Sequence, residues 1–509
     1  MGSEQIRRWE SGALAHAVTD PFGQGPVPWL RGGETYFDDT GHVVPWYMDP
    51  APESAAPGPG AQRAGSRVPA PRRASTAGGA GLRSADDVHQ QIKGFVSTGA
   101  VAPGEAVDFH VTVNPPQEFT VDVYRIGHYG GDGAAKITTS PRLSGIVQPP
   151  PLAADRTVSC HHWWLSWRLQ IPSYWSIGAH VAVLTTADGR HRSHIPFTIR
   201  DNRSADLLLL LPDITWQAYN LYPEDGRTGA SLYHAWDDSG RLLGEADAAT
   251  TVSFDRPYAG AGLPLHVGHA YDFIRWAERY GYDVAYADAR DLHGGQVDPT
   301  RYRGLVFPGH DEYWSTAMRR AVERARDHGT SLVFLSANTL YWQVELAPSP
   351  SGAPDRLLIC RKRRGPGKPV LWREVDRPEQ QLVGIQYLGR VPEPHPLIVR
   401  NAGHWLWDAT GAREGDALDG LVAGEADRYF PRAPLPGHDE RILLAHSPYT
   451  DAEGALRHQE TSLYRAPSGA WVFASGTFAW SPALDRPGHV DARVQRATAN
   501  LLDRICKRD

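Results

Sequence analysis

The run Asp206-Leu207-Leu208-Leu209-Leu210-Leu211, followed at once by Pro212-Asp213-Ile214-Thr215-Trp216-Gln217-Ala218-Tyr219-Asn220, decides the fold. An apolar run without alternation reads as a strand buried on both faces, the habit of a central strand in a parallel sheet. Downstream, strands and helices take turns. A helix is expected over 269–280, where Phe273, Ile274, Ala277 and Tyr280 recur at helical spacing and Gly281 can close the last turn. Tyr282–Ala287 and Gly304–Phe307 read as strands. Ser315 reads as the N-cap of a helix running to 328, and Ser331–Leu335 as the next strand. Repeated strand–helix–strand units imply right-handed crossovers and a mostly parallel sheet. Past 370, short strands such as Arg441–Ala445 and Trp471–Ala474 lead to a final helix over 491–505.

Upstream of this run the texture is all-β. Gln91–Val96, Ala106–Val113, Phe119–Ile126, Trp163–Leu169, His180–Thr185 and His194–Ile199 are short β-branched and aromatic runs divided by Gly and Pro turn signals. Their spacing predicts an antiparallel sandwich. Residues 50–84 are rich in Pro, Ala, Gly, Ser and Arg and cannot bury enough apolar surface to offset the entropy of ordering. The expected organisation is an N-terminal extension (1–48), a disordered linker (49–87), a β-sandwich (88–203) and an α/β catalytic domain (204–509).

The chain has 509 residues, too many for one compact domain. Its charge balance is 52 Lys and Arg against 58 Asp and Glu, a net charge of -6. That excludes a global basic footprint for nucleic acid. No apolar stretch reaches the roughly eighteen residues of a membrane span, and the first residues carry no apolar signal core. The three cysteines, Cys160, Cys360 and Cys506, form no CxxC pair, which predicts buried free thiols in a reducing, cytoplasmic setting.

In an open parallel sheet, ligands bind beyond the carboxyl ends of the strands. Three polar–aromatic clusters fall there: 212–220, Pro308-Gly309-His310-Asp311-Glu312-Tyr313-Trp314-Ser315, and Ser336-Ala337-Asn338-Thr339-Leu340-Tyr341-Trp342. An imidazole and a carboxylate two residues apart can ligate a metal or perform acid–base chemistry. Equally, Asp311 or Glu312 can serve only to stabilise the first turn of the following helix. Tyr219, Tyr222, Tyr233 and Tyr258 are further candidates: tyrosine is mostly a packing residue, but as phenolate it is a hard oxygen ligand suited to ferric iron. HExxH, GxSxG, P-loop and GxGxxG patterns are absent, as is a cysteine nucleophile near 310.

The segment Tyr124-Arg125-Ile126-Gly127-His128-Tyr129-Gly130-Gly131-Asp132-Gly133-Ala134 resembles a signature of the N,N-dimethylformamidase large-subunit family. So do WQAYN at 216–220, GHDEYWS at 309–315, ANTLYW at 337–342 and GTFAW at 476–480, in the right order over about 90–505. The resemblance implies a β-sandwich followed by an α/β domain of glutamine-amidotransferase type. It implies a mononuclear ferric iron held by two tyrosines and a glutamate, here Tyr219, Tyr258 (in FDRPY) and Glu312. It also implies His310 and Asn338 as the polar active-site pair, with Lys362 as a further basic residue. The family's large subunit works with a separate small subunit, so a small partner subunit or self-association is implied too. The expectation is thus a metal-dependent hydrolase of the C–N bond in a small amide, with no nucleic-acid or membrane partner. The rival is a non-catalytic carbohydrate- or ligand-binding protein on the same scaffold, which has no need to gather two tyrosines and a glutamate.

Overall fold

The computed structural model describes residues 83–201, 203–362, 371–433 and 441–507, with a short strand pair, Tyr36–Phe37 against Val43–Val44. The expectations for the rest of the N-terminal extension and for the linker up to 82 lie outside the described residues. Residues 83–87 belong to the sandwich instead of the linker. Arg83–Ser84 pairs with the strand at 191–199, and Asp87 forms a buried ion pair with Lys93.

The sandwich strands are β1 (Ile92–Val96), β2 (Ala106–Val113), β3 (Glu118–Ile126), β4 (Ala134–Thr139), β5 (Trp167–Gln170), β6 (Gly178–Thr186) and β7 (His191–Ile199). One sheet runs β5-β2-β1; the other runs β7-β6-β3-β4, all antiparallel. Alternate residues of both, among them Phe109, Val111, Val121, Val123, Leu184 and Phe197, close a core between the sheets. The larger sheet is buried on its other side as well. There Tyr124, Ile126, Val181 and Val183 join a second core with residues of the α/β domain.

That domain is built on β8 (Leu207–Leu211), α1 (Asp213–Tyr219), α2 (Val267–Arg279), β9 (Val284–Asp288), β10 (Gly304–Phe307), β11 (Tyr313–Ser315), α3 (Thr316–Asp327), β12 (Ser331–Phe334), β13 (Gln386–Ile398), β14 (Ala417–Arg428), β15 (Ile442–Thr450), β16 (Leu456–Arg465), β17 (Trp471–Ala474) and α4 (Ala492–Cys506). Its main sheet has the order β9-β8-β10-β12-β17-β16-β15. The first five strands are parallel and the last two join antiparallel. β8 has a parallel partner on each side, Leu207 against both Val284 and Gly304, and all five of its leucines are buried, which explains the unbroken apolar run.

Residues 213–219 form a short, largely buried helix. One local reading needs correction. The segment 310–312 does not open a helix: β11 intervenes, pairing with the strand Trp342–Ala347, so α3 begins only at Thr316, with Ser315 Oγ accepting from the Met318 N–H. The helix dipole therefore does not act on Glu312. The three cysteines are free and buried. No helix among the described residues is long and apolar enough to cross a membrane.

Candidate active site

The three polar–aromatic clusters meet beyond the carboxyl edge of β8, β10 and β12, and backbone hydrogen bonds lock them together. Thr215 Oγ1, on α1, accepts from the Glu312 and Tyr313 N–H groups at 3.0 and 3.2 Å. The Tyr341 and Trp342 N–H groups donate to Glu312 O, and the Leu340 N–H donates to Asp311 O. Asn220 ends α1 and holds the next turn: its Oδ1 accepts from Tyr222 and Ala259 N–H, and its Nδ2 donates to Pro257 O. A buried Arg256 guanidinium then donates to the carbonyls of Asn220, Tyr222 and Ala230, fixing the loop that delivers Tyr233.

At the centre, one carboxylate oxygen gathers three partners. Glu312 Oε2 accepts from the Tyr219 hydroxyl at 2.6 Å and from the Tyr233 hydroxyl at 2.7 Å, and stands 3.2 Å from His310 Nε2. The two phenol oxygens are 3.0 Å apart, and Tyr219 Oη is 3.0 Å from His310 Nε2. The Tyr219 and Tyr233 rings stack at 4.4 Å between centroids, with Tyr313 edge-on to both. Burial pushes both phenols well above the usual tyrosine range, and the Glu312 charge adds to it. Burial also pushes the Glu312 carboxyl up, but hydrogen bonding and charge from His310, the Lys362 ammonium and the Tyr219 hydroxyl outweigh this and hold it below its usual value.

Tyr258 is not part of this cluster. It lines the seam between the two domains, beside Asp213, Asp288 and Arg290, and the second phenol is Tyr233. The other expected residues surround the cluster. His310 turns Nδ1 away from Glu312, toward Ala337 O at 3.4 Å and Glu425 Oε2 at 4.0 Å. Asn338 has a positive φ of 53° and donates its backbone N–H to Asp427 Oδ1 at 2.8 Å. Lys362 places Nζ 3.2 Å from the Tyr233 ring centroid and 4.8 Å from that of Trp342, in cation–π contact. Its nearest carboxylate, Glu245, is 3.8 Å away. Burial lowers the Lys362 pKa, against the pull of Glu312.

Glu425 was not anticipated from the sequence. It lies on β14, and burial together with the Glu312 charge pushes its carboxyl well above the usual range, partly offset by the Asn338 amide. The Phe478 ring of the GTFAW segment closes the site over His310, with centroids 4.6 Å apart. No group of three or more His, Cys, Asp and Glu side chains suited to a metal occurs among the described residues. A metal would therefore depend on phenol oxygens, and two phenols and a carboxylate form a hard, all-oxygen donor set.

No curated protein matches the chain. Among solved structures, the alkylpurine DNA glycosylase AlkC of Pseudomonas fluorescens bound to DNA with an abasic-site analogue is 17% identical over 22% of this chain and 31% of that one. Its TM-score is 0.14, too low to inform fold or function. The family described as N,N-dimethylformamidase beta subunit-like, C-terminal, matches residues 120–494, a span that holds most of the sandwich's larger sheet and every residue of the cluster, and the chain belongs to that family.

Proposed function

We propose that this protein is an amidohydrolase that cleaves the C–N bond of a small, non-peptide amide, on an α/β scaffold of amidotransferase type. The observation that supports it most is the convergence of Tyr219 and Tyr233 on one oxygen of Glu312, with His310 at the same point. Such a cluster is costly to bury without a purpose, since polar groups removed from water need full compensation. Tyr219, Tyr233 and Glu312 would hold a ferric ion, which would supply Lewis-acid polarisation of the amide carbonyl and acidify a water.

The protein's own groups carry the protons. His310 spans the cluster and Glu425, with Nε2 at the first and Nδ1 toward the second. Its ring can take the proton of the attacking water at Nε2. Glu425, whose carboxyl is held above its usual range and so keeps its proton, can give that proton to the departing amine, and the His310 Nδ1–H on its side then replaces it. The Asn338 amide and the Lys362 ammonium can donate to the oxygen that gains charge at the carbonyl carbon. Phe478 shields His310 from water, which strengthens each of these interactions.

The test is elemental analysis of purified protein together with a screen of small formamides, acetamides and cyclic amides for released amine. Stoichiometric iron, visible colour and amine release, all lost in Glu312→Gln, are expected. Full amine release from iron-free protein would remove the metal, and no turnover on any amide by iron-loaded protein would remove the amidohydrolase reading.

A further inference from the structure

A cavity of about 50 Å³ lies at the seam between the sandwich and α1. It holds several waters or one molecule of three or four heavy atoms. Its walls come from both domains: Phe197 and His180 on the sandwich side, and Asp213, Trp216, Tyr258, Tyr271 and Arg290 on the other.

The polar groups around it do not balance. Tyr271 is buried, and neither its hydroxyl nor that of Tyr258 has a hydrogen-bond partner among the described residues. Arg290 gives Nε to Asp213 Oδ2 at 2.5 Å, and neither of its Nη groups has a hydrogen-bond partner among the described residues. Its guanidinium carbon stands over the Phe254 ring, 3.9 Å from the centroid, in cation–π contact. Gly99 makes room for the guanidinium fork: a Cβ there would collide with Arg290 Nη2 and stand 2.9 Å from Asp288 Oδ2. His180 must donate Nδ1–H to Gly178 O, leaving Nε2 as an unpaired acceptor. Unpaired donors thus outnumber unpaired acceptors, and buried donors in native proteins have partners.

Charge points the same way. Asp213 answers Arg290 and Asp255 answers Arg356, but Arg256 has only carbonyl partners. Asp288 is the remaining carboxyl on the cavity wall. Burial and its neighbours Asp213 and Asp291 push it well up, toward the neutral form, although it accepts from Thr198 Oγ1. Arg256 is thus the guanidinium on the cavity wall without a carboxylate partner among the described residues.

We infer that this interdomain cavity is a binding site for a small carboxylate of one or two carbons, gripped by the Arg290 fork and the Tyr258 and Tyr271 hydroxyls. A planar, delocalised anion suits a guanidinium fork, and the aromatic walls suit its hydrogen or methyl end. The inference is independent of the proposed chemistry at Glu312.

The test is calorimetric titration of the full-length protein with sodium formate and sodium acetate, with sodium chloride at equal ionic strength as the control. Saturable carboxylate binding is expected, absent with chloride, retained in Glu312→Gln, and weakened about tenfold when both hydroxyls are removed in Tyr258→Phe/Tyr271→Phe. Should the double variant lose its fold by circular dichroism, Gly99→Ala, which crowds the fork, carries the same expected loss. Binding that disappears in Glu312→Gln but survives in the seam variants would move the anion to the active site. Equal binding of chloride would make it an adventitious ion only, and no saturable binding would leave the cavity to water; each of these outcomes overturns the inference.

Discussion

At Tyr233 three demands meet on one side chain. Its hydroxyl donates to Glu312, its ring stacks on Tyr219, and its other surface receives the Lys362 ammonium. Tyr233→Phe keeps the packing and the cation–π contact but deletes the oxygen. It should lower iron affinity by at least about a hundredfold, more than loss of an outer-shell partner usually costs, and bleach the phenolate absorption. Tyr258→Phe should leave both unchanged; metal titration with visible spectroscopy of the two variants separates them. His310→Ala should retain iron and lose about 10²–10⁴-fold in turnover, the usual worth of general acid–base catalysis, measured as amine release. His310, Glu312 and Tyr219 were legible because each follows an apolar strand that announces the sheet edge. Tyr233 was not. It sits in a loop without periodicity, held by Ser231 and by the Arg256 brace, and nothing local distinguishes it from Tyr222 or Tyr258.

The element that completes the site is the long hairpin of β13 and β14, which brings Glu425 and Asp427 over the edge of the main sheet. It was invisible in the sequence for a physical reason: its register slips more than once and its exposed stretches break the alternation that marks a strand. Gly424 is fixed there by contact. Its φ is +69°, and a Cβ would stand 2.7 Å from the Phe478 ring. Gly424→Ala should cost about 1–2 kcal/mol in denaturant unfolding, from the left-handed conformation alone, and should lower turnover without releasing iron as Phe478 is displaced from His310. Asp427 carries a pH signature. Burial pushes its carboxyl from 3.8 up to about 7, opposed by the Asn338 N–H, with Glu379 raising and Arg373 lowering it. The folded state therefore binds this proton more tightly than the unfolded chain. The stability it contributes is full below about pH 4 and is lost as pH rises through about 7. Asp427→Asn still accepts from Asn338 but has no proton to lose. Its melting temperature should exceed that of the unaltered protein at pH 8, and the gap should close as the pH falls; a constant gap would refute the assignment.

The whole molecule is organised by one sheet used twice. The strands β3 and β6 send Val121, Val123 and Leu184 into the sandwich core, and Tyr124, Ile126, Val181 and Val183 into the core they share with α2. The composition shift near 203–206 was legible as a change of texture, because β-branched alternation gives way to continuous leucine. The second burial of the sheet was less so, since a strand with two covered faces near a domain change reads like any other apolar strand. Scanning calorimetry of the full chain should show one unfolding transition with equal calorimetric and van't Hoff enthalpies; two separated transitions would mean that the cores are independent. The two cores are joined through β3 and β6, whose opposite faces serve one each. A recombination event that exchanged the sandwich for an unrelated one would strip the α/β half of part of its own interior. Substitutions on β3 and β6 answer to two interiors at once, so these strands should tolerate less drift than a sheet with a free face, and the two halves are bound to change together or not at all.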